Sequence, residues 1–419
     1  MYCGGCFHDN TLVAALRGRG HDVTMIPLYL PLTLDEADES ASTPIFFSGI
    51  NVYLEEKIPL FRRAPAWLHK ILASRQVLRL AAGSAARTKA EDVGDLTLSM
   101  IRGEEGNQVR ELDELVAWLR GQGRPDVVSL SNALLLGLVR GLKKGLGAPV
   151  VCALQGEDTF LDALPTSQRA TAWKVLAERA REVDLFTAPS RYFGELMAAR
   201  LGLRADQWRV AHNGIRLDGY GDNAGPTHPP TLGYFARMCR EKGLELAVET
   251  FIILRERGRV PDLRLKVGGG CGPGDEPVVE GVKKRLRSKG LLAAVEFFPN
   301  VSRLEKIRFL ESLDVFCTPA LYGEAFGLYV VEAMAAGVPV VQPRHAAFPE
   351  LVEATGGGII TEATAEALAG GIEKLLLDPM AARRLGEMGR QRVRENFNAD
   401  SMAGEIEGIF SALPAGAAW

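Results

Sequence analysis

The segment EAFGLYVVEAMAAGVP, residues 324–339, places two acids eight positions apart in an otherwise apolar stretch. It closes on Gly-Val-Pro, so the pattern predicts a loop at Glu324 and a helix that begins near Phe326 or Gly327 and ends at that glycine. A carboxylate within such an apolar helix is costly unless a partner satisfies it. Two interpretations stay open. Glu324 and Glu332 bind sugar or ribose hydroxyls beside helix N–H groups that face a phosphate, or they are a capping acid and a paired structural acid.

Short apolar runs alternate with longer helical patterns on both sides of this segment. Runs that are apolar on both faces are typical of buried parallel strands, and their alternation with helices predicts doubly wound α/β sheets. The predicted strands are 127–130, 150–154, 185–187, 232–235, 263–267, 295–298, 315–317 and 338–342. The crossover helices include 243–257 and 304–312.

A polar stretch rich in glycine and proline, DGYGDNAGPTHPP at 218–230, predicts a linker within the 419 residues. Single cores stop growing near roughly 250–300 residues, so this length suits two domains. We expect one α/β domain at 1–217 and a second at 231–395. Residues 396–419 are expected to form a C-terminal helix that could cross back to the first domain.

Composition excludes several classes of protein. A formal net charge of -3 gives no basic field that would gather nucleic acid, and six scattered cysteines do not suit a disulfide scaffold. We find no apolar run long enough to span a bilayer and expect a cytoplasmic protein. The stretch 57–90 is basic and amphipathic. It is either a helical excursion packed on the N-terminal domain or a surface for an anionic or lipid-linked acceptor, with peripheral contact to the inner membrane face.

The sequence ARMCREKG, residues 236–243, follows a predicted strand and supplies Arg237 and Lys242 at a strand-to-helix turn. Ligands of open α/β sheets bind beyond the carboxyl ends of the strands. An arginine fork and a lysine point charge at that edge suit a diphosphate. A solvated surface pair is the other interpretation.

A glycine run, GGGCGPG at 268–274, follows the strand predicted at 263–267. It is not a Walker loop, because no Gly-Lys-Ser/Thr follows, and Pro273 occupies the third glycine position of the dinucleotide fingerprint. The run indicates either close backbone approach to a ligand or a mobile turn.

The first ten residues, MYCGGCFHDN, contain a Gly-Gly pair before a helical pattern, which could admit phosphate to the helix N-terminus. Cys3 and Cys6 with His8 also suggest zinc or redox chemistry, but the sequence has no second Cys or His pair to complete a tetrahedral site. A helix from Asn10 and a strand at 23–26 would be the second and third elements of a doubly wound domain. We therefore expect a first strand encoded upstream of the stated start.

Together these motifs resemble family 4 of the retaining glycosyltransferases, with the GT-B fold of two facing Rossmann-like domains. The family's acid–seven residues–acid motif is matched by Glu324 and Glu332, and its Arg–Lys pair by Arg237 and Lys242. Its Asn-Gly-Ile segment is matched by HNGI at 212–215, and its Pro-Glu pair by residues 349 and 350.

The resemblance implies an N-terminal acceptor-side domain, a C-terminal donor domain and a cleft between them. Arg237 and Lys242 would hold the diphosphate, Glu332 the ribose, and Glu324 a hydroxyl of the donor sugar. Catalysis would need no metal or cofactor and would retain anomeric configuration. The other implied donor contacts are Gly4, Gly5, Gly268, Gly269, Asn300, Val301, Phe326, Gly327 and Leu328.

The sequence departs from the family at several positions. Relatives usually carry a histidine near the donor sugar in the first domain, where this chain reads QGED at 155–158, and the residues before Glu350 lack a Gly-Gly pair. The acceptor, a glycan, lipid-linked glycan or small molecule, is expected near Gln155, Glu157, Asp158 and His212. Alternatives are a GT-B phosphorylase, a sugar-nucleotide epimerase, or an inactive sugar-binding relative.

Overall fold

The computed structural model describes residues 4–29, 37–58, 90–221 and 229–413, together with 61, 64, 65 and 72. The chain forms two compact units. The N-terminal unit runs from Gly5 to Ala211 and takes up the chain again at Ala403, whereas the C-terminal unit runs from His212 to Met402. Each unit has its own parallel sheet flanked by helices, so the predicted α/β class with two doubly wound domains is confirmed.

Four parallel strands form the sheet of the N-terminal unit: β1 (Val128–Leu130), β2 (Val150–Ala153), β3 (Leu185–Ala188) and β4 (Trp208–Val210). Their order is β1-β2-β3-β4. The first three coincide with predicted strands because they carry buried apolar side chains. Strand β4 was not predicted, because its three residues include one exposed arginine and none that is fully buried.

The helices of the N-terminal unit lie between and before these strands. They are α1 (Gly4–Gly18), α2 (Gly49–Lys57), α3 (Ala90–Arg102), α4 (Val109–Gln122), α5 (Val139–Leu146), α6 (Asp158–Asp162), α7 (Thr166–Ala180) and α8 (Arg191–Leu201).

Two predictions near the start of the chain were wrong. Helix α1 already begins at Gly4, so Gly4 and Gly5 lie in its first turn instead of forming a turn ahead of it. Residues 21–27 form no strand. The carbonyl groups there bond to side chains and not to a ladder: Arg17 donates to the oxygen of Val23, and Thr43 donates to that of Met25.

Six parallel strands form the sheet of the C-terminal unit: β5 (Thr231–Phe235), β6 (Arg264–Gly269), β7 (Val295–Pro299), β8 (Val315–Phe316), β9 (Val340–Pro343) and β10 (Gly358–Thr361). Their order is β10-β9-β8-β5-β6-β7. The chain extends from β5 towards one edge and then returns to build the other, so the order reverses between β5 and β8. Ligands of open α/β sheets bind at such a switch point, beyond the carboxyl ends of the strands.

Helices cover both faces of this sheet with apolar clusters, one around Tyr234 and Phe251, the other around Phe316 and Phe348. They are α9 (Leu244–Arg257), α10 (Glu276–Ser288), α11 (Arg303–Glu311), α12 (Leu328–Ala335), α13 (Phe348–Thr355), α14 (Ala365–Leu377) and α15 (Pro379–Asn396). The last helix, α16 (Ala399–Ser411), starts in this unit, and its residues from Ala403 onward group with the N-terminal unit.

Two predicted segments lie largely outside the described residues. Most of the basic stretch 57–90 is among them, and so are residues 222–228 of the linker. Within the described part of the chain, no helix combines the length and apolarity needed to cross a membrane.

Candidate functional site

Three loops and the glycine run meet at the carboxyl edge of the C-terminal sheet. Loop 236–243 follows β5, loop 317–327 follows β8, loop 344–347 follows β9, and the glycine run ends β6. Backbone hydrogen bonds join them, from Leu321 to Glu241 at 2.9 Å, from Met238 to Gly270 at 2.8 Å and from Ala347 to Glu324 at 3.2 Å. The edge is therefore one connected backbone framework that carries the predicted donor-binding side chains.

Arg237 is held by Asp275, a residue that the sequence reasoning did not single out. The arginine donates from Nε to both carboxylate oxygens, at 2.9 and 3.0 Å, and a further N–H lies 2.9 Å from Oδ1. Asp275 is only 6% exposed, while Arg237 remains largely exposed. The hydrogen bond to Asp275 raises the pKa of Arg237 above its ordinary value. The third guanidinium nitrogen has no partner among the described residues.

Lys242 and Glu324 form an ion pair between two tyrosine rings. The lysine donates from Nζ to Glu324 Oε2 at 2.6 Å, and the same oxygen accepts from the Tyr329 hydroxyl at 2.7 Å and the Tyr322 hydroxyl at 3.2 Å. The ammonium group lies 4.7 Å from the ring centre of Tyr322 and 5.0 Å from that of Tyr329. Cation–π contacts and hydrogen bonds thus fix the pair. Oε1 accepts no hydrogen bond from the described residues.

The surroundings keep Glu324 ionised. Burial alone raises the pKa of Glu324, but the charge of Lys242 and the hydrogen bonds from Lys242, Tyr329 and Tyr322 outweigh it, so the net pKa is lowered. Burial and the nearby Glu324 charge raise the pKa of both tyrosines, which therefore remain hydroxyl donors. The site offers a fixed carboxylate with one unused oxygen.

Glu332 also has a cation as its partner. Lys306, on α11, donates from Nζ to Glu332 Oε1 at 2.7 Å, and each side chain is 18% exposed. This is the paired acid that one interpretation of the sequence required. The second carboxylate oxygen, Oε2, has no partner among the described residues and remains able to accept from a ribose hydroxyl.

Helix α12 presents its first amides at the same edge. Gly327, its N-cap, has a φ of 96°, which favours glycine, and Phe326 is buried. The N–H groups of Gly327 and Leu328 donate no hydrogen bond within the described residues. Such free amides at a helix start suit an oxygen of a sugar or phosphate.

The glycine run approaches the protein's own backbone. A Cβ on Gly269 would lie 1.9 Å from the Ala236 carbonyl oxygen, and one on Gly268 would lie 2.6 Å from the Phe235 ring. Asn300 then binds the run, since it donates to the Cys271 carbonyl at 2.8 Å and accepts from the Cys271 amide at 2.9 Å. The side-chain oxygen and nitrogen of Asn300 are therefore both bonded to the glycine run. The other donor contact that the resemblance implies in this loop, Val301, forms no side-chain bond to the glycine run.

The residues expected on the acceptor side lie in different places. Gln155, Glu157 and Asp158 follow β2, at the carboxyl edge of the N-terminal sheet. Glu157 accepts from the amides of Ala133 at 2.8 Å and Gln155 at 2.7 Å, so its carboxylate is spent on the backbone. Burial raises the pKa of both Glu157 and Asp158. Asp158 Oδ1 is buried and has no hydrogen-bond partner among the described residues.

His212 belongs to the C-terminal unit. Its ring lies 5.4 Å from that of Phe397 and 6.4 Å from that of Phe326, and its Nε2 is 3.9 Å from Glu350. His212 therefore belongs to the unit that carries Arg237, Lys242 and Glu324, whereas Gln155 belongs to the other unit. Its distance from Phe326 makes it a neighbour of the start of α12.

Four partners of the predicted site residues were missed by sequence reasoning: Asp275, Tyr322, Tyr329 and Lys306. In the N-terminal unit, the contact of His8 with Gln155 was missed as well. Asp275 gave one usable signal, an acid between a glycine run and a predicted helix. Tyr322 and Tyr329 stand two and five positions from Glu324, whereas Lys306 and His8 meet their partners only through the tertiary structure. Among the described residues, no group of three or more His, Cys, Asp or Glu side chains could hold a metal ion.

Two family models match the chain, side by side. The model described as glycosyl transferases group 1 matches residues 222–392, and the model described as glycosyltransferase family 4 matches residues 80–218. The first covers most of the C-terminal unit with every loop described above, and the second covers most of the N-terminal unit.

Similar curated proteins include two mycobacterial mannosyltransferases. The chain is 35% identical to the MMP alpha-(1->4)-mannosyltransferase of Mycolicibacterium hassiacum, over 30% of this chain and 31% of that protein. It is 26% identical to the GDP-mannose-dependent alpha-(1-6)-phosphatidylinositol monomannoside mannosyltransferase of Mycolicibacterium smegmatis, over 67% of this chain and 74% of that one. For the first relative, the chain spans less than a third of its length.

Solved structures with the same fold include Anabaena Alr3699/HepE in complex with UDP and glucose, at a TM-score of 0.61 and 20% identity, covering 73% of this chain and 82% of that one. Sucrose-phosphate synthase from Thermosynechococcus elongatus has a TM-score of 0.63 and 20% identity, covering 96% and 91% of the two chains. At such identities the likeness establishes the two-domain fold alone.

Proposed function

Since the chain belongs to the family 4 glycosyltransferases of the GT-B fold, we propose that it transfers a hexose from a nucleoside diphosphate sugar to an acceptor hydroxyl. The C-terminal unit binds the donor. Arg237 and Lys242 contact the diphosphate, Glu332 the ribose, and Glu324 the donor hexose.

One observation carries the proposal. Each of three ion pairs at the carboxyl edge leaves one polar atom without a partner among the described residues: a guanidinium nitrogen of Arg237, Glu324 Oε1 and Glu332 Oε2. These atoms, one donor and two acceptors, belong to the loops and the helix at the carboxyl edge, where ligands of open α/β sheets bind. A cation for phosphate and carboxylates for hydroxyls are the groups that a nucleotide sugar requires.

The proposed chemistry uses these residues without a metal. Arg237, Lys242 and the free amides of α12 stabilise the negative charge that develops on the departing diphosphate, which is electrostatic catalysis. The acceptor oxygen attacks the anomeric carbon on the face that the diphosphate leaves. The diphosphate takes the acceptor proton, and the configuration is retained.

The donor can be identified by a thermal-shift screen with GDP-mannose, UDP-glucose, UDP-N-acetylglucosamine and ADP-glucose. A ligand at 100 times its dissociation constant adds about 2.7 kcal/mol to the stability of the state that binds it. We expect one nucleotide to raise the melting temperature, and its sugar to appear in a transfer product whose anomeric configuration is read by NMR. A protein that binds none of these donors contradicts the proposal.

Two variants separate the roles within the site. Lys242→Ala should weaken nucleotide binding by roughly tenfold or more, since a hydrogen bond to a charged group contributes about 1.5–3 kcal/mol. Glu324→Gln should lower kcat while the affinity for the bare nucleotide changes little. Lys289→Ala is the matched control, because it removes an exposed lysine that pairs with Glu256 at 2.7 Å, away from the sheet edge.

A further inference from the structure

His8 is a buried imidazole that the proposed donor site does not use. It lies in the first turns of α1, and its side chain is 6% exposed. Its Nδ1 is 3.0 Å from Asp9 Oδ1 and 3.0 Å from the side-chain nitrogen of Gln155, which is 147 positions away in the chain. Nδ1 has one hydrogen-bonding position, so it donates to Asp9 in one tautomer or accepts from Gln155 in the other, and in either case the ring is held at Nδ1.

The other ring nitrogen is left for a ligand. Nε2 forms no hydrogen bond with the described residues. It is therefore the ring nitrogen that can still bind a hydroxyl. An imidazole whose Nδ1 is held by a carboxylate has a fixed orientation, so Nε2 is presented in one direction.

The location is one where α/β proteins bind ligands. Gln155 comes two residues after β2, at the carboxyl edge of the N-terminal sheet. Three acids are close by. Asp9 contacts His8, and Glu157 and Asp158 follow Gln155 by two and three positions. Asp158 Oδ1 is buried without a partner among the described residues. Carboxylates repel a phosphate, whereas a hydroxyl can donate to them and accept from an N–H. The surroundings favour an uncharged, hydroxyl-rich group.

We propose that His8 Nε2, oriented by Asp9 and Gln155, is a hydroxyl-binding subsite for a sugar or polyol. The inference deepens the proposed function and rests on it for the identity of the ligand. The hydroxyl belongs either to the acceptor or to the hexose of the donor, and the chemistry of recognition is the same for both.

Two substitutions at His8 isolate Nε2 from the packing of the ring. In His8→Asn the amide replaces Nδ1 and can still bond to Asp9 or Gln155, but nothing replaces Nε2. In His8→Gln the longer side chain places a polar group near Nε2. We expect His8→Asn to raise the KM for the acceptor by roughly tenfold, the effect of one lost hydrogen bond of about 1.4 kcal/mol, and His8→Gln to restore part of the loss.

The kinetic outcomes identify the source of the hydroxyl. A raised KM for the acceptor with an unchanged KM for the nucleotide sugar assigns the subsite to the acceptor. A raised KM for the nucleotide sugar, with unchanged affinity for the bare nucleoside diphosphate, assigns it to the donor hexose. Unchanged values of both in a folded His8→Asn protein overturn the subsite.

A direct binding measurement keeps the inference separate from the proposed function. Saturation-transfer NMR with methyl α-mannoside, methyl α-glucoside and myo-inositol should give signals with the native protein that weaken in His8→Asn, whether or not transfer is observed. If His8→Asn fails to fold, the double variant Asp9→Ala/Gln155→Ala removes both groups that hold Nδ1 and leaves His8 in place. A folded double variant with native signals contradicts the subsite.

Discussion

At the scale of single residues, the cations of the proposed donor site are neutralised by neighbouring carboxylates. Asp275 holds Arg237, and Glu324 holds Lys242. If a diphosphate binds at this edge as proposed, it meets cations that are already oriented and need not be ordered on binding. The cost is competition with the carboxylates, which is smallest at Arg237 because its guanidinium is still 60% exposed.

Asp275→Asn tests whether this orientation matters. In the native protein Asp275 Oδ2 accepts a hydrogen bond from the Gly272 amide at 3.0 Å, and the amide oxygen of the variant can still do so. The variant has no second anionic oxygen, so it cannot hold Arg237 in the same way. We expect the affinity for the bare nucleoside diphosphate to fall by roughly threefold to tenfold, about 0.7–1.4 kcal/mol. Isothermal titration calorimetry measures it.

The control is a double-mutant cycle with Arg237→Ala. If Asp275 acts through Arg237, Asp275→Asn has no further effect on binding in the Arg237→Ala background. Removal of a negative charge near the ligand acts in the opposite direction, so tighter binding in the single variant would show that repulsion exceeds orientation. Equal losses in both backgrounds would place the effect of Asp275 elsewhere.

At the scale of elements, β6 and the glycine run show why the edge is compact. Strand β6 ends at Gly269, which has a φ of 125°. L side chains rarely adopt that conformation, and the Ala236 carbonyl occupies the space that a Cβ would need. The glycine therefore lets the loop after β6 pack against the loop that carries Arg237.

Gly269→Ala should destabilise the C-terminal unit by about 2–4 kcal/mol, through backbone strain and overpacking combined. Gly274→Ala, five positions on in the same run, is the control, since a Cβ there meets nothing within 4 Å. Its effect should stay within about 0.5 kcal/mol. Urea denaturation followed by circular dichroism gives both values, and equal stability of the two variants would refute this packing argument.

At the scale of the whole molecule, the two units have separate sheets and separate apolar cores. The side chains proposed to bind the donor lie in the C-terminal unit, and the His8–Gln155 contact lies in the N-terminal unit. A bare nucleoside diphosphate carries no hexose. It should therefore contact only the donor-side loops.

Hydrogen exchange with and without GDP or UDP tests this division. Peptides that cover 236–243, 268–275 and 324–332 should exchange more slowly with the nucleotide that binds, by up to about 100-fold where the ligand adds about 2.7 kcal/mol. Peptides that cover β1 to β3 should change little. Protection confined to the N-terminal strands would show that the nucleotide binds the N-terminal unit and would contradict this division.

The sequence by itself determined the α/β class, eight of the ten strands in the described residues, the loops that carry Arg237, Lys242 and Glu324, and the helix that carries Glu332. It could do so because burial of parallel strands and the start of a helix leave local patterns of apolar residues, glycine and proline. Strands β4 and β10 escaped because edge strands are only partly buried and carry a weak pattern. The strand expected at 23–26 failed because an apolar run becomes a strand only where a neighbour pairs with it.

Only the tertiary structure decided the partners of the chemical groups. Lys242 and Glu324 are 82 positions apart, and His8 and Gln155 are 147 apart. Local sequence propensity does not indicate which residues meet across such separations in the chain. These contacts form when loops from different strands reach the same sheet edge. For the same reason, the two interpretations of Glu332 could not be separated in the sequence. The fold shows it paired with Lys306 through one oxygen while the other has no partner among the described residues.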